Sequence, residues 1–324
     1  MINRYKVCVI GVYFGKLPEY FNLWLKSCEY NKDIDFLIVS DNNFENLPKN
    51  VSSTYMTLED MKRLADKKLG LNTALRKPYK CCDFKAVYGT IFEDLIKDYD
   101  FWGHCDFDLI FGKIDSFITD KILDKYDKIL RYGHFCLYRN TDEVKSRYKA
   151  EGSMCGNYDK VFTQAQSFVF DEVPGIYQIY LKNKFPMYDR LVFADIMPRY
   201  ERFKLSQGRK NYFLQCFYWQ DGRVYKAYAK NGKVFIDEYI YIHFQKRGFS
   251  KTLASTTESF YICPKGFVNK NKNVIPNIED IRKVNPPQPV REFLVTAKYE
   301  TIRVTKNVLR PLYKLVMERI GGPE

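Results

Sequence analysis

The 324-residue sequence lacks the features that mark secreted, membrane-spanning and zinc-stabilised proteins. Its longest apolar runs fall far short of the roughly 20 residues that cross a bilayer, and its start has no cleavage site of a secretory signal. The 9 cysteines are an odd number and form no Cys-x-x-Cys pair, which disfavours a disulfide framework and a structural zinc site. We therefore expect reduced thiols and a cytoplasmic protein.

Histidine is scarce, whereas aromatic residues are abundant. The chain has 3 His but 26 Tyr and 25 Phe, and it contains no repeat or low-complexity segment. A hydrophobic fraction of 46% beside 28% charged residues is typical of a folded protein rather than a disordered one. Tyrosine and phenylalanine at this frequency fill cores and also line pockets for rings and sugars.

The net charge of +13 is unevenly distributed along the chain. Residues 1–200 carry 29 basic and 28 acidic side chains, whereas residues 201–324 carry 23 and 11. Nearly all the positive excess therefore lies in the last third. This asymmetry favours an anionic partner, which is a phosphate, a nucleic acid or a membrane surface.

The first half of the sequence alternates buried strands with amphipathic helices. The pattern predicts strands at 6–13, 35–40 and 100–106, helices at 19–30 and 86–97, and a further helix start with Thr57 as its cap. Such alternation is typical of an α/β fold in which helices cover a mostly parallel sheet. Because ligands bind at the carboxyl ends of such strands, the polar residues that follow them can converge on one crevice.

The second half is rich in strands and ends in a basic segment. Two Xaa-Gly pairs, at 221–222 and 231–232, predict hairpin turns within the strand-rich stretch 212–243, whose last strand is expected to run from 234 to 243. We expect a catalytic domain over 1–284, followed over 285–324 by a Pro-rich linker and a basic amphipathic helical tail. The tail either lies on an anionic bilayer or packs on its own domain.

Asp106-Phe-Asp108 is the strongest local signal for chemistry, because it follows an aromatic-rich strand. Residues two apart on an extended backbone face the same way, and two carboxylates there can hold a hard divalent cation that neutralises a diphosphate. The alternative is a solvated turn. His243 can add a nitrogen ligand, and Lys246 and Arg247 after it suit phosphate, although a core histidine beside a basic turn is the simpler interpretation.

Lys80-Cys-Cys-Asp83-Phe-Lys85 places two cations and one carboxylate before a predicted helix. The lysines can reach phosphate, and Asp83 can accept a hydrogen bond from a ribose or sugar hydroxyl. An ordinary charged helix start explains the segment equally well.

Together these segments resemble a family of bacterial sugar transferases of the GT-A type, associated with capsule and lipopolysaccharide synthesis. The resemblance covers roughly 1–250 and is carried by 12–18, 23–28, 35–41, 78–85, 88–89, 100–112 and 242–247. The last segment looks like the His-Phe…Lys segment that supplies the final metal ligand in family 8-like glycosyltransferases. Gly11 and Ala86 stand where this family often has proline.

The resemblance implies a GT-A (Rossmann-like) mixed sheet flanked by helices, a nucleotide-diphosphate sugar donor, most often UDP-linked, and Mn²⁺ or Mg²⁺. By this similarity Asp106, Asp108 and His243 would form the metal site, with Asp106 also near the ribose or a metal-bound water. The other implied donor contacts are Tyr13 and Asp41 at the base, Lys80, Asp83 and Lys85 at the ribose, phosphate or sugar, and Lys246 and Arg247 at the pyrophosphate.

An inverting transferase needs a carboxylate that deprotonates the acceptor hydroxyl, whereas a retaining one can do without it. Asp171 and Glu172 lie where related folds place acids on the acceptor side, and they are our candidates for a base. The alternative is an acidic pair that caps a helix near 175. Asp189 and Asp195 are weaker candidates.

The resemblance implies a glycan or lipid-linked glycan acceptor and a location on the inner face of the plasma membrane, reached through 291–324. Two other functions fit parts of the sequence. A non-enzymatic module that binds RNA or membrane would use the basic last third, although no RNA-binding signature is present and no nucleic-acid partner is expected. A nucleotidyltransferase would usually need a third nearby carboxylate and a Gly-rich phosphate loop.

Overall fold

The computed structural model describes residues 4–305, apart from 209, 246, 250–252 and 254–256. The predicted phosphate contact Lys246 and the tail beyond 305 lie outside these residues. The described strands are β1 (Val7–Tyr13), β2 (Asp35–Ser40), β3 (Val51–Tyr55), β4 (Phe101–Cys105), β5 (Leu109–Phe111), β6 (Lys128–Ile129), β7 (Phe135–Arg139), β8 (Met187–Tyr188), β9 (Ala194–Asp195), β10 (Gln215–Gln220), β11 (Arg223–Lys230), β12 (Lys233–Tyr239), β13 (Tyr241–His243), β14 (Ser259–Cys263) and β15 (Gly266–Asn269).

The described α-helices are mostly short. They are α1 (Phe21–Glu29), α2 (Leu58–Leu69), α3 (Cys81–Phe84), α4 (Tyr88–Ile91), α5 (Glu93–Ile96), α6 (Asp120–Lys125), α7 (Asp142–Ser146), α8 (Tyr158–Thr163), α9 (Gln178–Lys182), α10 (Ile278–Val284) and α11 (Pro289–Val304). Among the described residues, no helix combines the length and the apolar character needed to cross a membrane.

A seven-stranded mixed sheet forms the centre of the fold, in the order β3-β2-β1-β4-β7-β6-β8. The first four strands in this order run parallel, whereas β7 runs antiparallel to both β4 and β6. Strand β4 is buried along its whole length and β1 along most of it, as their continuous apolar sequences predict. The expected α/β class is therefore confirmed.

Two predictions for the helices have different outcomes. The expected start at Thr57 is confirmed, because its hydroxyl and the Asp60 carboxylate form a reciprocal capping box at the start of α2. The single helix predicted at 86–97 is wrong. Phe92 leaves helical geometry (φ −103°, ψ 22°) and its ring is buried, so packing of this aromatic divides the segment into α4 and α5.

A second, antiparallel sheet has the order β12-β11-β10-β14-β15. Both predicted hairpin turns are confirmed: Asp221, Gly222, Asn231 and Gly232 all have positive φ, as two-residue turns of this kind require. The long strand expected up to His243 is interrupted after β12. The chain then leaves this sheet, and β13 joins a three-stranded sheet in the order β5-β13-β9.

Helix α11 begins at Pro289 and contains no buried residue. The preceding segment is anchored, because the buried Asn285 side chain donates to the carbonyl groups of Phe203 and Gln215 at 3.1 and 2.8 Å. Polar contacts join α11 to the segment 199–204: Glu292 pairs with Arg202 and Lys204. The helix is thus attached to the rest of the structure through one polar face.

Candidate functional site

A cleft of about 550 Å³ opens at the carboxyl ends of β1 and β4. Its wall includes Tyr13, Lys85, Asp106, Asp108 and Arg247 among mostly apolar and aromatic neighbours. This volume lies within the range of pockets that bind small molecules and cofactors. The expected convergence of the ends of β1 and β4 on one crevice is therefore seen in the structure.

The ring of Phe107 separates the two carboxylates and fixes the turn that carries them. It lies 4.6 Å from the ring of Trp24 and 5.3 Å from that of Tyr13, between centroids. A Cβ at Gly11 would meet this ring at 2.7 Å, so the absence of a side chain on β1 lets it pack directly against the strand. The departure at Gly11 from the resembled family thus has a packing role here.

The three-stranded sheet assembles the Asp108 side of the cleft. On β13, His243 is in register with Leu109 on one side and with Asp195 on the other. The amide of Phe244 donates to the Asp108 carbonyl at 2.9 Å, and the amide of Ile196 donates to the His243 carbonyl at 2.9 Å. Backbone pairing therefore fixes the spacing between Asp108, His243 and Asp195.

The His243 ring bridges two carboxylates. Its Nε2 lies 3.3 Å from Oδ1 of Asp108, and its Nδ1 lies 2.8 Å from Oδ1 of Asp195. Burial opposes a charge on this ring, but Asp108 and Asp195 outweigh that effect and raise the pKa of His243 to about 10. Burial also opposes the charge of Asp195, but the hydrogen bond from His243 prevails and lowers its pKa to about 2.

The ring of His134 covers one face of the His243 ring. Its imidazole stacks on that of His243 with centroids 4.4 Å apart, and its Nδ1 is 2.7 Å from the Tyr241 hydroxyl. Burial and the neighbouring His243 lower the pKa of His134, which keeps this ring neutral. His134 is thus an uncharged ring whose stacking restricts the orientation of His243.

Lys85 organises the Asp106 side of the cleft. Its buried ammonium group lies 2.6 Å from Oδ1 of Asp106 and 3.1 Å from Oδ2 of Asp171, and it donates to the Gly133 carbonyl at 2.9 Å. Burial disfavours this charge, but the two carboxylates raise the pKa of Lys85 well above its usual value. The predicted contact Lys85 is therefore in the cleft, as one pole of a buried ion network.

Asp171 and Glu172 lie behind Lys85 and outside the cleft wall. A Cβ at position 133 would meet the Asp171 carboxylate at 2.1 Å, so only glycine there admits this close approach. Burial raises the pKa of Asp171 to about 6 despite the nearby Lys85, and burial together with Asp171 raises that of Glu172 to about 7. Their predicted role as a base finds no support in this position.

Lys80 and Asp83 have a structural arrangement. The Lys80 ammonium group lies 2.8 Å from Asp83 and donates to the carbonyl groups of Val161 and Gln166, each at 2.7 Å. The fully buried Asp83 carboxylate also accepts from the backbone amides at 168 and 170. These contacts hold the 161–170 segment and favour a structural role over the predicted contacts with a donor.

The other predicted contacts divide between the cleft and its support. Tyr13 lines the cleft, whereas the Asp41 carboxylate accepts from the Gly15 amide at 2.8 Å and braces the adjacent loop. Arg247 lines the cleft, but its guanidinium group donates to three carbonyl groups between 197 and 201. Asp189, a weaker candidate for a base, pairs with Arg131.

The potential metal ligands on the two sides of Phe107 suit a divalent cation. One ligand atom from each of Asp106, Asp108 and His243 lies within 4.8 Å of the others. Two carboxylate oxygens and one imidazole nitrogen match the ligand preferences of Mn²⁺, and carboxylates alone suit Mg²⁺. His134, Asp195 and His243 form a second such group, but all three are buried and Asp195 faces the opposite ring nitrogen.

The sequence does not indicate the roles of two residues at the site. His134 belongs to no motif, and the pattern predicts Asp195 only as a weaker candidate for a base. Strand β9, which carries Asp195, has two residues, too short for a periodic pattern. The one signal available was the scarcity of histidine: two of the 3 His in the chain stack at this site.

The mixed sheet and the cluster of Asp106, Asp108 and His243 beside the cleft define an α/β protein with a candidate divalent-metal and ligand site. Residues 9–271 match a family described as "Family of unknown function (DUF6625)", and the chain belongs to this family. No curated protein matches the chain. The family match assigns no activity, so the resemblance to GT-A transferases stays a prediction.

Proposed function

We propose that this protein is a metal-dependent glycosyltransferase that uses a nucleotide-diphosphate sugar, with a UDP-sugar as the donor. The observation that carries the proposal is the convergence of Asp106, Asp108 and His243 within 4.8 Å at the edge of a cleft. These ligands come from two sequence segments more than a hundred residues apart. The resemblance to the GT-A family, which rests on the same segments, adds to this observation.

The residues of the cleft divide the work of donor binding. Tyr13 offers an aromatic face for a base, and Lys85 places a buried positive charge beside Asp106. A cation held by Asp106, Asp108 and His243 would supply charge neutralisation for the nucleoside diphosphate that leaves. Arg247 forms part of the cleft wall and is held there by its hydrogen bonds to carbonyl groups between 197 and 201. The apolar remainder of the wall excludes water from the reacting bond.

The direct test measures release of nucleoside diphosphate from a panel of nucleotide sugars, with and without Mn²⁺. We expect Mn²⁺-dependent release, and we expect Asp108→Asn to lower its rate about 100- to 1,000-fold, the usual scale for losing electrostatic stabilisation of a leaving group. Asp142→Asn is the matched control, because Asp142 is a fully exposed carboxylate that pairs with Lys145 on α7 and does not line the cleft. Equal rates for Asp108→Asn and wild type would refute the proposal.

The reaction products distinguish a glycosyltransferase from a nucleotidyltransferase. A nucleotidyltransferase would release pyrophosphate and transfer a nucleoside monophosphate, whereas the proposed transferase releases the nucleoside diphosphate intact. Release of neither, combined with RNA or vesicle binding, would favour the non-enzymatic module.

We further propose that α11 places the protein on the anionic inner face of the plasma membrane, near a lipid-linked glycan acceptor. Val290, Phe293, Leu294 and Ala297 recur at helical spacing and are exposed, whereas Glu292 on the opposite face pairs with Arg202 and Lys204. An apolar face opposite a polar attachment is typical of helices that lie in a membrane interface.

The vesicle test replaces two exposed apolar side chains of α11. We expect Phe293→Ser with Leu294→Ser to weaken binding to vesicles that contain anionic phospholipid at least tenfold, because each side chain contributes about 1.5–3 kcal/mol when buried. Tyr55→Ser, also an exposed aromatic but at the end of β3, is the control and should bind normally. Unchanged binding by the α11 variant would contradict the membrane proposal and leave the transferase proposal standing.

A further inference from the structure

We propose that Asp195 is a positioning residue: when a cation displaces the Nε2 proton of His243, Asp195 keeps the remaining ring proton on Nδ1, so that Nε2 can ligate the cation beside Asp108. The inference rests on the proposed metal-dependent function and assigns to Asp195 a role other than that of a base. The observation behind this proposal is that Asp195 contacts one nitrogen of the His243 ring, whereas Asp108 lies near the other.

The two ring nitrogens of His243 have separate partners. Nδ1 lies 2.8 Å from Oδ1 of Asp195, whereas Nε2 lies 3.3 Å from Oδ1 of Asp108. A neutral imidazole carries one proton, and a carboxylate that lacks a proton can only accept a hydrogen bond. Asp195 therefore keeps the proton on Nδ1. The lone pair of Nε2 is then directed toward Asp108 and the cleft edge, where a cation would need it.

The Asp195 carboxylate is itself fixed on both oxygens. The Ser206 hydroxyl donates to Oδ2, and the Gln245 amide donates to Oδ1 at 2.8 Å. The backbone adds a further restraint, because the Ser206 amide donates to the Asp195 carbonyl at 2.8 Å. A carboxylate held in this way cannot rotate away from His243. The orientation of the histidine is therefore built into the 195–206 segment.

The position of Asp195 argues against direct contact with a substrate. Its side chain is buried and does not line the cleft, and His243 stands between it and Asp108. A carboxylate behind a ligating histidine is a common arrangement in metal sites, where it fixes the tautomer and makes the ligand more basic. Asp195 acts through His243, so its loss should change metal affinity before any substrate is present.

The experiment measures Mn²⁺ affinity of the full chain without nucleotide, from the electron paramagnetic resonance signal of free Mn²⁺. We expect Asp195→Asn to weaken binding about 10- to 100-fold, the usual effect of losing such an outer partner. An amide at this position can turn its NH₂ group toward Nδ1, which moves the ring proton to Nε2. Ser206→Ala, which leaves Asp195 less restrained, should weaken binding a few-fold. Asp142→Asn, at an exposed carboxylate on α7, should bind as wild type does.

A spectroscopic signature separates positioning from loss of folding. Pulsed electron paramagnetic resonance of bound Mn²⁺ should show coupling to a histidine nitrogen in wild type. This coupling should fall in Asp195→Asn, while the melting temperature of the variant stays close to that of wild type. If Asp195→Asn fails to fold, Ser206→Ala carries the same test.

The possible outcomes are distinct. Tight binding by wild type with equal affinity and equal nitrogen coupling in both variants would overturn the positioning role and leave the metal-dependent function intact. Absence of Mn²⁺ and Mg²⁺ binding by wild type would overturn both, because there would be no cation for His243 to meet.

Discussion

The two carboxylates of the Asp-x-Asp pair lie two residues apart, yet they have opposite surroundings. Asp106 meets the buried ammonium group of Lys85, a positive charge that the chain itself provides. Asp108 meets Nε2 of His243, and Asp195 holds the far side of that ring. On the Asp106 side, the protein completes its own charge balance. On the Asp108 side, the positive charge is carried by the His243 ring, whose Nε2 proton an external cation would replace.

The comparison shows how one short motif can serve structure and chemistry together. The Lys85 network joins Asp106 to Asp171 inside the fold, so changes there should alter stability first. The His243 network ends at the cleft, so changes there should alter ligand binding first. Three variants test this division: two are measured for stability on the Asp106 side, and one is measured for Mn²⁺ affinity beside His243.

The largest effect on stability is expected for Lys85→Met. Removal of the ammonium group leaves the buried Asp171 carboxylate without its cation, and breaking a buried ion pair in this way costs about 3 kcal/mol. Urea unfolding measures this loss. The double variant Lys85→Met with Asp171→Leu should recover part of it, because no buried charge is then left unpaired. A single variant as stable as wild type would remove the contrast between the two sides.

The buried acids behind Lys85 predict a pH dependence of stability. The pKa of Asp171 is raised to about 6 and that of Glu172 to about 7, whereas carboxyl groups of an unfolded chain titrate near pH 4. Between these values the folded state binds more protons. Their contribution to the free energy of unfolding is therefore full below about pH 4 and is lost as the pH rises through 6 to 7.

We expect the Asp171→Asn, Glu172→Gln double variant to lose less stability than wild type between pH 5 and pH 6, by about 2 kcal/mol. Urea titrations at both pH values measure the difference. Parallel pH profiles for the two proteins would contradict the assignment of these acids to the Asp106 side.

The smallest effect is expected for His134→Phe. Phenylalanine keeps a ring stacked on His243 but loses the contact with the Tyr241 hydroxyl, at a cost of about 1 kcal/mol. We expect Mn²⁺ affinity within about twofold of wild type, the usual outcome when no ligand is removed. A large loss of affinity would instead place the cation between His134, Asp195 and His243, deeper than the cleft edge.

The sequence predicts much of the fold and of the cleft because both depend on local patterns. The buried strands β1, β2 and β4 have continuous apolar runs, and the two hairpin turns have the residues that positive φ requires. The motif at Asp106 and Asp108 follows directly from the end of β4. Local features of this kind can be recognised from the sequence alone, because they do not depend on contacts with distant segments.

The remaining parts of the site depend on contacts between distant segments. Lys80 and Lys85 belong to one short motif, yet Lys80 pairs with Asp83 inside the fold and Lys85 reaches the cleft. Asp195 reaches His243 only because β13 leaves the five-stranded sheet and pairs with β9. No spacing along the chain reveals such a change of partner, so the role of Asp195 could not be read from the sequence.

Thermal stability with nucleotide sugars and free nucleotides, with and without Mn²⁺, tests the central claim most directly. A ligand that binds only the folded state adds about 2.7 kcal/mol of stability at a hundredfold excess over its dissociation constant. We predict a rise in melting temperature for one nucleotide family; the rise requires Mn²⁺ in wild type and is absent in Asp108→Asn. No rise with any nucleotide, or a rise of equal size in Asp108→Asn, would contradict it.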